Sequence, residues 1–157
     1  MKELFIVHIG DYVDPNFPHE WDDKITNIRN KIKKYSVHNQ MSLYNIGGAR
    51  NYNIASFLAS RLELSLKDWA ESDILDNLEP FSLYESFSLS MNRLNVSEKS
   101  TVIMAVSDKQ LSLLISWWLK LPFDKWNQWE LVIEPIGFHV LNVNKSGDRT
   151  IYKFNEG

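Results

Sequence analysis

Three side chains able to do chemistry stand at the joints of this 157-residue chain. His8 closes the apolar run Leu4-Phe5-Ile6-Val7, Arg50 follows Gly47-Gly48 where a helical pattern begins, and Asp108 follows the apolar stretch Val102 to Val106. A histidine and an aspartate can share a proton as an acid/base pair, and a guanidinium can hold an anion. Arg50 carries its own demand. A cation in the first turn of a helix is disfavoured by the dipole by roughly 0.3 to 1 kcal/mol, so a negative charge should offset it. Two sources stay open: a carboxylate, sulfate or phosphate bound at the helix N-terminus, or an internal pairing of Asp108 with Arg50 or His8.

Other chemistries are bounded by composition. The chain has no cysteine, which excludes a disulfide scaffold, a thiol nucleophile and a thiolate metal site. His19, His38 and His139 have no metal-ligand spacing with one another or with nearby carboxylates, so no metal and no cofactor is expected. The net charge of -3 and the short basic trio Lys31, Lys33 and Lys34 leave no footprint for nucleic acid. The apolar start is too short and too acidic for a leader or a membrane span, so a cytoplasmic location and no membrane contact are expected.

The elements that must position these groups follow from periodicity. Leu4 to Val7 reads as a buried strand ended by Gly10, and the loop from Asp11 to Glu20 holds Pro15 and Pro18. Ile25, Ile28 and Ile32 are spaced as one face of a helix from Trp21, with Asp22 or Asp23 to cap it and lysines at its end. A strand at Met41 to Tyr44 leads through the glycines into a helix over Ala49 to Leu62. Leu64, Leu66 and Trp69 suggest a short extended piece, Pro80 is a break, and Leu83 to Leu94 looks helical. Thr101 to Val106 is the clearest strand, and Leu111, Leu114, Ile115, Trp118 and Leu119 mark the helix after it. Strands at 136–144 and 150–155 flank a hairpin turn at Lys145-Ser146-Gly147-Asp148. One α/β domain over 1–157 is expected, a three-layer α/β/α sandwich whose mostly parallel sheet carries an antiparallel edge.

With those elements placed, three segments fall in the order of the histidine phosphatase (phosphoglycerate mutase-like) family. Phe5-Ile6-Val7-His8-Ile9-Gly10 resembles its first strand ending in Arg-His-Gly. Arg50-Asn51-Tyr52-Asn53-Ile54-Ala55 resembles its Arg-Ala-x-x-Thr-Ala helix start, and Val106-Ser107-Asp108 resembles its late Ser-His. The closing Tyr152-Lys153-Phe154-Asn155 is similar to the family's last strand, and the likeness covers nearly the whole chain. Each motif stands at the carboxyl end of an expected strand, where open α/β sheets bind ligands.

The resemblance implies a phosphohistidine mechanism, and the residues depart from it. Aligned without gaps, Ile9 stands at the nucleophile, His8 at the neighbouring arginine and Asp108 at the second histidine; only Arg50 is retained. Isoleucine has no lone pair, so that route is closed at residue 9. Moving the register by one would make His8 the nucleophile at the expense of Gly10. At an effective dielectric near 20, two unit charges about 4 Å apart interact by about 4 kcal/mol, so Asp108 should weaken phosphate binding. Asp108 could also simply cap its helix. The family's general acid cannot be placed: Glu79 and Glu85 lie in the right region and read as surface carboxylates.

Two functions are therefore expected. The first is a catalytically degenerate histidine phosphatase-like protein acting as a binding, regulatory or assembly partner. A small anionic ligand would sit at His8, Arg50 and Asp108. A protein partner or second copy would meet a partly exposed tryptophan surface at Trp117, Trp126 and Trp129. The alternative is a repurposed lyase- or isomerase-type enzyme, with His8 and Asp108 as catalytic acid and base and Arg50 holding a substrate anion.

Overall fold

Strand β1 (Glu3–Ile9) is the axis of the molecule. From Leu4 to Ile9 it is buried on both faces, because it lies between two other strands and beneath helices on either side. This computed structural model describes residues 3–10, 21–36, 40–46, 48–68, 85, 88, 100–122, 136–143 and 146–156. Helix α1 (Asp22–Tyr35) and strand β2 (Gln40–Asn45) come next, then helix α2 (Gly48–Leu62) and strand β3 (Leu66–Asp68). Strand β4 (Ser100–Val106), helix α3 (Asp108–Trp118), strand β5 (Ile136–Val143) and strand β6 (Arg149–Glu156) complete the described elements.

The six strands form one sheet in the order β3-β2-β4-β1-β5-β6. β3, β2, β4 and β1 run parallel, whereas β5 is antiparallel to β1 and to β6. The expected antiparallel edge is the terminal hairpin, whose turn includes Gly147 at φ 87°, a conformation that favours glycine.

Period-two alternation sorts the sheet residues into two layers. Phe5, Val7, Ile9, Ile103, Ala105, Phe138 and Val140 pack under α1 and α2, meeting Ile25, Ile28, Ile32, Ile54 and Leu58. Leu4, Ile6, Val102, Met104, Val106 and Leu141 face α3 and meet Leu111, Leu114, Ile115 and Trp118. Each side chain of this size stabilises the fold by about 1.5–3 kcal/mol when fully buried, which is why the helices are held by their apolar stripes.

Local chemistry differs from expectation at two helix ends. Trp21 is the N-cap of α1 and makes no side-chain cap; Asp22 instead forms an ion pair with Arg61 of α2, tying the two helices together. At α3 the N-cap is Ser107, not Asp108, and Ser107 with Gln110 forms a capping box. The Ser107 N–H donates to Gln110 Oε1 at 3.1 Å, and Gln110 Nε2 donates to the Ile46 carbonyl at 2.9 Å. The Ile46 N–H in turn donates to the Ala105 carbonyl at 2.9 Å. One buried glutamine thus fastens the turn after β2 to the turn after β4.

The expected tryptophan surface is corrected at Trp117, which is buried with 9% of its surface exposed. The guanidinium of Arg149 lies 5.0 Å from the ring centres of both Trp117 and Trp118, and Trp118 Nε1 donates to the Thr150 carbonyl at 3.1 Å. β6 therefore covers the end of α3, with a cation near its C-terminus as the dipole favours. Trp126 and Trp129 lie outside the described residues, as do Glu79, His19 and His38. Glu85 is exposed, as its surface reading requires.

Replacing Gln110 by alanine should lower the unfolding free energy by about 1–3 kcal/mol, because it leaves a buried carbonyl and an N-cap amide without partners. Urea denaturation should show a lower midpoint with unchanged slope. A midpoint matching the parent protein would mean that the clamp contributes nothing.

Candidate functional site

His8 occupies the last turn of pleat in β1, opposite Val106 of β4 and Gly137 of β5. Its parity matches Leu4 and Ile6, so its ring lies on the α3 side, where it is 1% exposed. A polar ring buried there needs a hydrogen-bond partner. Asp108, the first residue of α3, supplies one: His8 Nε2 is hydrogen-bonded to Asp108 Oδ1. The Asp108 side chain remains 36% exposed, so the pair runs from the core to the surface with the carboxylate outermost.

The capping box explains how Asp108 comes to be available. Ser107 and Gln110 satisfy the start of α3, so the next carboxylate can turn toward β1 rather than cap its own helix. The Ser-x-x-Gln spacing was present in the sequence and would have assigned the cap to residue 107. A carboxylate only accepts hydrogen bonds, so the proton of the shared bond belongs on His8 Nε2. Among the described residues, His8 Nδ1 has no hydrogen-bond partner. The Nε2–H tautomer fits both facts, since it leaves a lone pair and not a donor at that buried nitrogen.

Ile9 faces the other way. It is 1% exposed and packs with Phe5, Val7, Ile25 and Ile28 under α1. His8 and Ile9 are thus divided by the sheet. Arg50 belongs to the first turn of α2, and its side chain lies outside what is described. The next residue, Asn51, was not singled out by sequence. It is fully buried, and neither atom of its amide has a hydrogen-bond partner among the described residues. It shares the apolar stripe of Ile54, Ala55 and Leu58, and only a position-by-position reading of that stripe could have flagged an amide there.

A second buried histidine lies beside the first. His139 of β5 pairs with Ile6, is fully buried, and has its ring centre 6.2 Å from that of His8. Burial, then the proximity of His8, pushes its pKa from 6.5 down to about 3. No group of three or more histidine, aspartate or glutamate side chains is placed to hold a metal among the described residues. No helix among the described residues is long and apolar enough to cross a membrane.

Two outcomes follow from this geometry. In a double-mutant cycle of His8→Phe and Asp108→Ala, the coupling measured by denaturation should be about 1–3 kcal/mol; additive effects would mean that the bond contributes nothing. His139 has the linkage of a depressed base. The unfolded chain binds a proton at pH values below about 6.5 that the folded chain does not bind until about 3, so stability is lost as pH falls through that window. His139→Phe should remove up to about 1.4 kcal/mol per pH unit of that slope, read from urea titrations at pH 6.5 to 4.

No protein-family profile matches the chain, and no curated protein matches it in sequence. Solved structures do. A mycobacterial glucosyl-3-phosphoglycerate phosphatase, solved with VO3, superposes with a TM-score of 0.69 at 12% identity over 100% of both chains. A phosphoserine phosphatase of Entamoeba histolytica, in complex with 3-phosphoglyceric acid, gives 0.66 at 11% identity over 100% of this chain and 98% of that one. A phosphoglycerate mutase of Plasmodium falciparum gives 0.62 at 11% identity, covering 98% of this chain and 91% of its own. These likenesses, with the sheet order and the antiparallel edge, establish that the chain has the phosphoglycerate mutase-like fold.

Proposed function

We propose that this chain is a catalytically degenerate protein of the histidine phosphatase fold that acts by binding, as a regulatory or assembly component, and not by phosphoryl transfer. The observation that carries this reading is the pairing of His8 with Asp108 while Ile9 is turned into the apolar core. A phosphoryl acceptor needs an accessible nitrogen lone pair. Residue 9 has none, and the His8 ring is 1% exposed with Nε2 engaged. The one-residue register shift that would make His8 the nucleophile therefore meets a buried and occupied imidazole.

Electrostatics support the same reading. The outermost group of the pair is a carboxylate, and a carboxylate repels the phosphate-type ligands named for the neighbouring folds. The ligand site proposed at His8, Arg50 and Asp108 is accordingly one that Asp108 biases against dianions. The partner surface, with Trp117 taken into the core, rests on Trp126 and Trp129.

One observation favours the second reading, a repurposed lyase or isomerase: a histidine and an aspartate hydrogen-bonded at the carboxyl end of the central strand. Because only Asp108 reaches the surface, it would move the proton, with His8 holding the carboxylate in place and Arg50 binding the substrate anion.

The purified protein should not hydrolyse p-nitrophenyl phosphate or 3-phosphoglycerate above the rate of a heat-denatured control. Removing the repulsive charge with Asp108→Asn should tighten orthovanadate binding by at least about tenfold, as measured by calorimetry. Robust turnover abolished by His8→Ala would overturn the degenerate reading and restore the shifted register.

A further inference from the structure

The pairing of β5 with β6 is regular at one end and broken at the other. Asn142 pairs with Thr150 and Leu141 with Ile151, but Val140 pairs with Lys153 and Phe138 with Glu156. One extra β6 residue is therefore accommodated on each side of Val140. His139 sits within the second irregularity, where one residue of β5 is opposed by the two β6 positions 154 and 155. The ring of Phe154 covers it, with centres 4.7 Å apart, while Phe154 itself is 39% exposed. A fully buried imidazole is thus shielded on one side by an edge strand attached through bulges.

We infer that the last residues of β6, from Tyr152 onward, form an acid-opened latch in which Phe154 closes over His139 and lifts away when that histidine gains a proton. The charged form of His139 is disfavoured inside by burial and by the neighbouring His8, so a state that brings it to water is favoured as pH falls. The groups around it define the balance. His8 comes from β1, and Asp108 of α3 is hydrogen-bonded to His8. On β6, Lys153 lies against Tyr35 and Tyr152, and Arg149 lies against Trp117 and Trp118.

The latch gives way at β6 and not elsewhere because the rest of the sheet is anchored better. β1 is paired without interruption on both sides, from Leu4 to His8 with β4 and from Glu3 to Ile9 with β5. The first half of β6 is held by Trp118 Nε1 on the Thr150 carbonyl and by Arg149 on the tryptophans. Local openings use the least protected segment of a structure. Lifting Phe154 would admit water to the histidine pair. That consequence for ligand binding rests on the reading of His8 and Asp108 proposed above, whereas the latch itself rests on the β5–β6 geometry.

Hydrogen exchange of the intact chain, followed residue by residue from pH 6.5 to 4, tests this. Protection factors at Lys153 and Glu156 should lie below those at Phe5 and Ile6 throughout, and should fall by up to about tenfold per pH unit. In His139→Phe the fall should vanish; if that variant does not fold, His139→Gln should show the same flat profile. Phe154→Ala should lower protection at Lys153 at neutral pH while leaving Phe5 and Ile6 unchanged. Equal protection of β6 and β1 at every pH would overturn the latch, because it would leave only global opening. So would a pH slope at Lys153 that persists in the His139 variants.

Discussion

A histidine at the end of a central strand, closed in by strands on both sides and by a helix above, must find a hydrogen-bond partner within the protein. In this chain the partner is Asp108, and several features of the structure serve that one bond. β1 is fixed by continuous pairing to β4 and β5, which sets the position of His8. The capping box of Ser107 and Gln110 releases Asp108 from capping duty. Gln110 also binds the Ile46 carbonyl, so the turn that starts α3 and the turn that leads to α2 hold one another in place. Breaking the bond would leave a buried ring unsatisfied, which costs more than the bond itself contributes.

The fold brings the carboxyl ends of β1, β2 and β4 together, where this architecture places ligands. In the superposed phosphatases and mutases the fold is shared at 11–12% identity, which carries architecture alone. That edge of this chain is defined by charge and direction. The residue at position 9 points into the α1 and α2 layer, and the residue at position 8 points into the α3 layer and is engaged. The exposed end of the resulting pair is acidic. In the proposed reading, binding by donors or proton transfer at Asp108 suits that surface better than holding a dianionic phosphate does.

Much of this was legible in the residues. The apolar runs marked the strands, because a buried strand must be apolar on both faces; the helices followed from the spacing of Ile25, Ile28, Ile32 and of Ile54 and Leu58. The co-location of His8 and Asp108 was legible because His8 stands near the end of one strand and Asp108 just after another, and the two strands neighbour one another in such a sheet. Other features depend on packing that no local pattern specifies. The burial of Trp117 requires Arg149, 32 residues later, to lie across it. The low basicity of His139 requires Phe154 and His8 to enclose it, which depends on the register of three strands. Asp22 looked like a cap by position and instead pairs with Arg61, since the distant partner competes with the nearby backbone.

The two histidines on the α3 face have different roles in this account. His8 is oriented by a carboxylate and tied to the surface, whereas His139 is kept neutral by burial under an irregular edge strand. The most direct test of the central claim is the nitrogen spectrum of the His8 imidazole, recorded at neutral pH with and without orthovanadate. A proton on Nε2, with both resonances unmoved by vanadate, is the result this structure requires. A proton on Nδ1, or resonances that shift as vanadate binds, would contradict it, because the ring would then be available to a phosphoryl group.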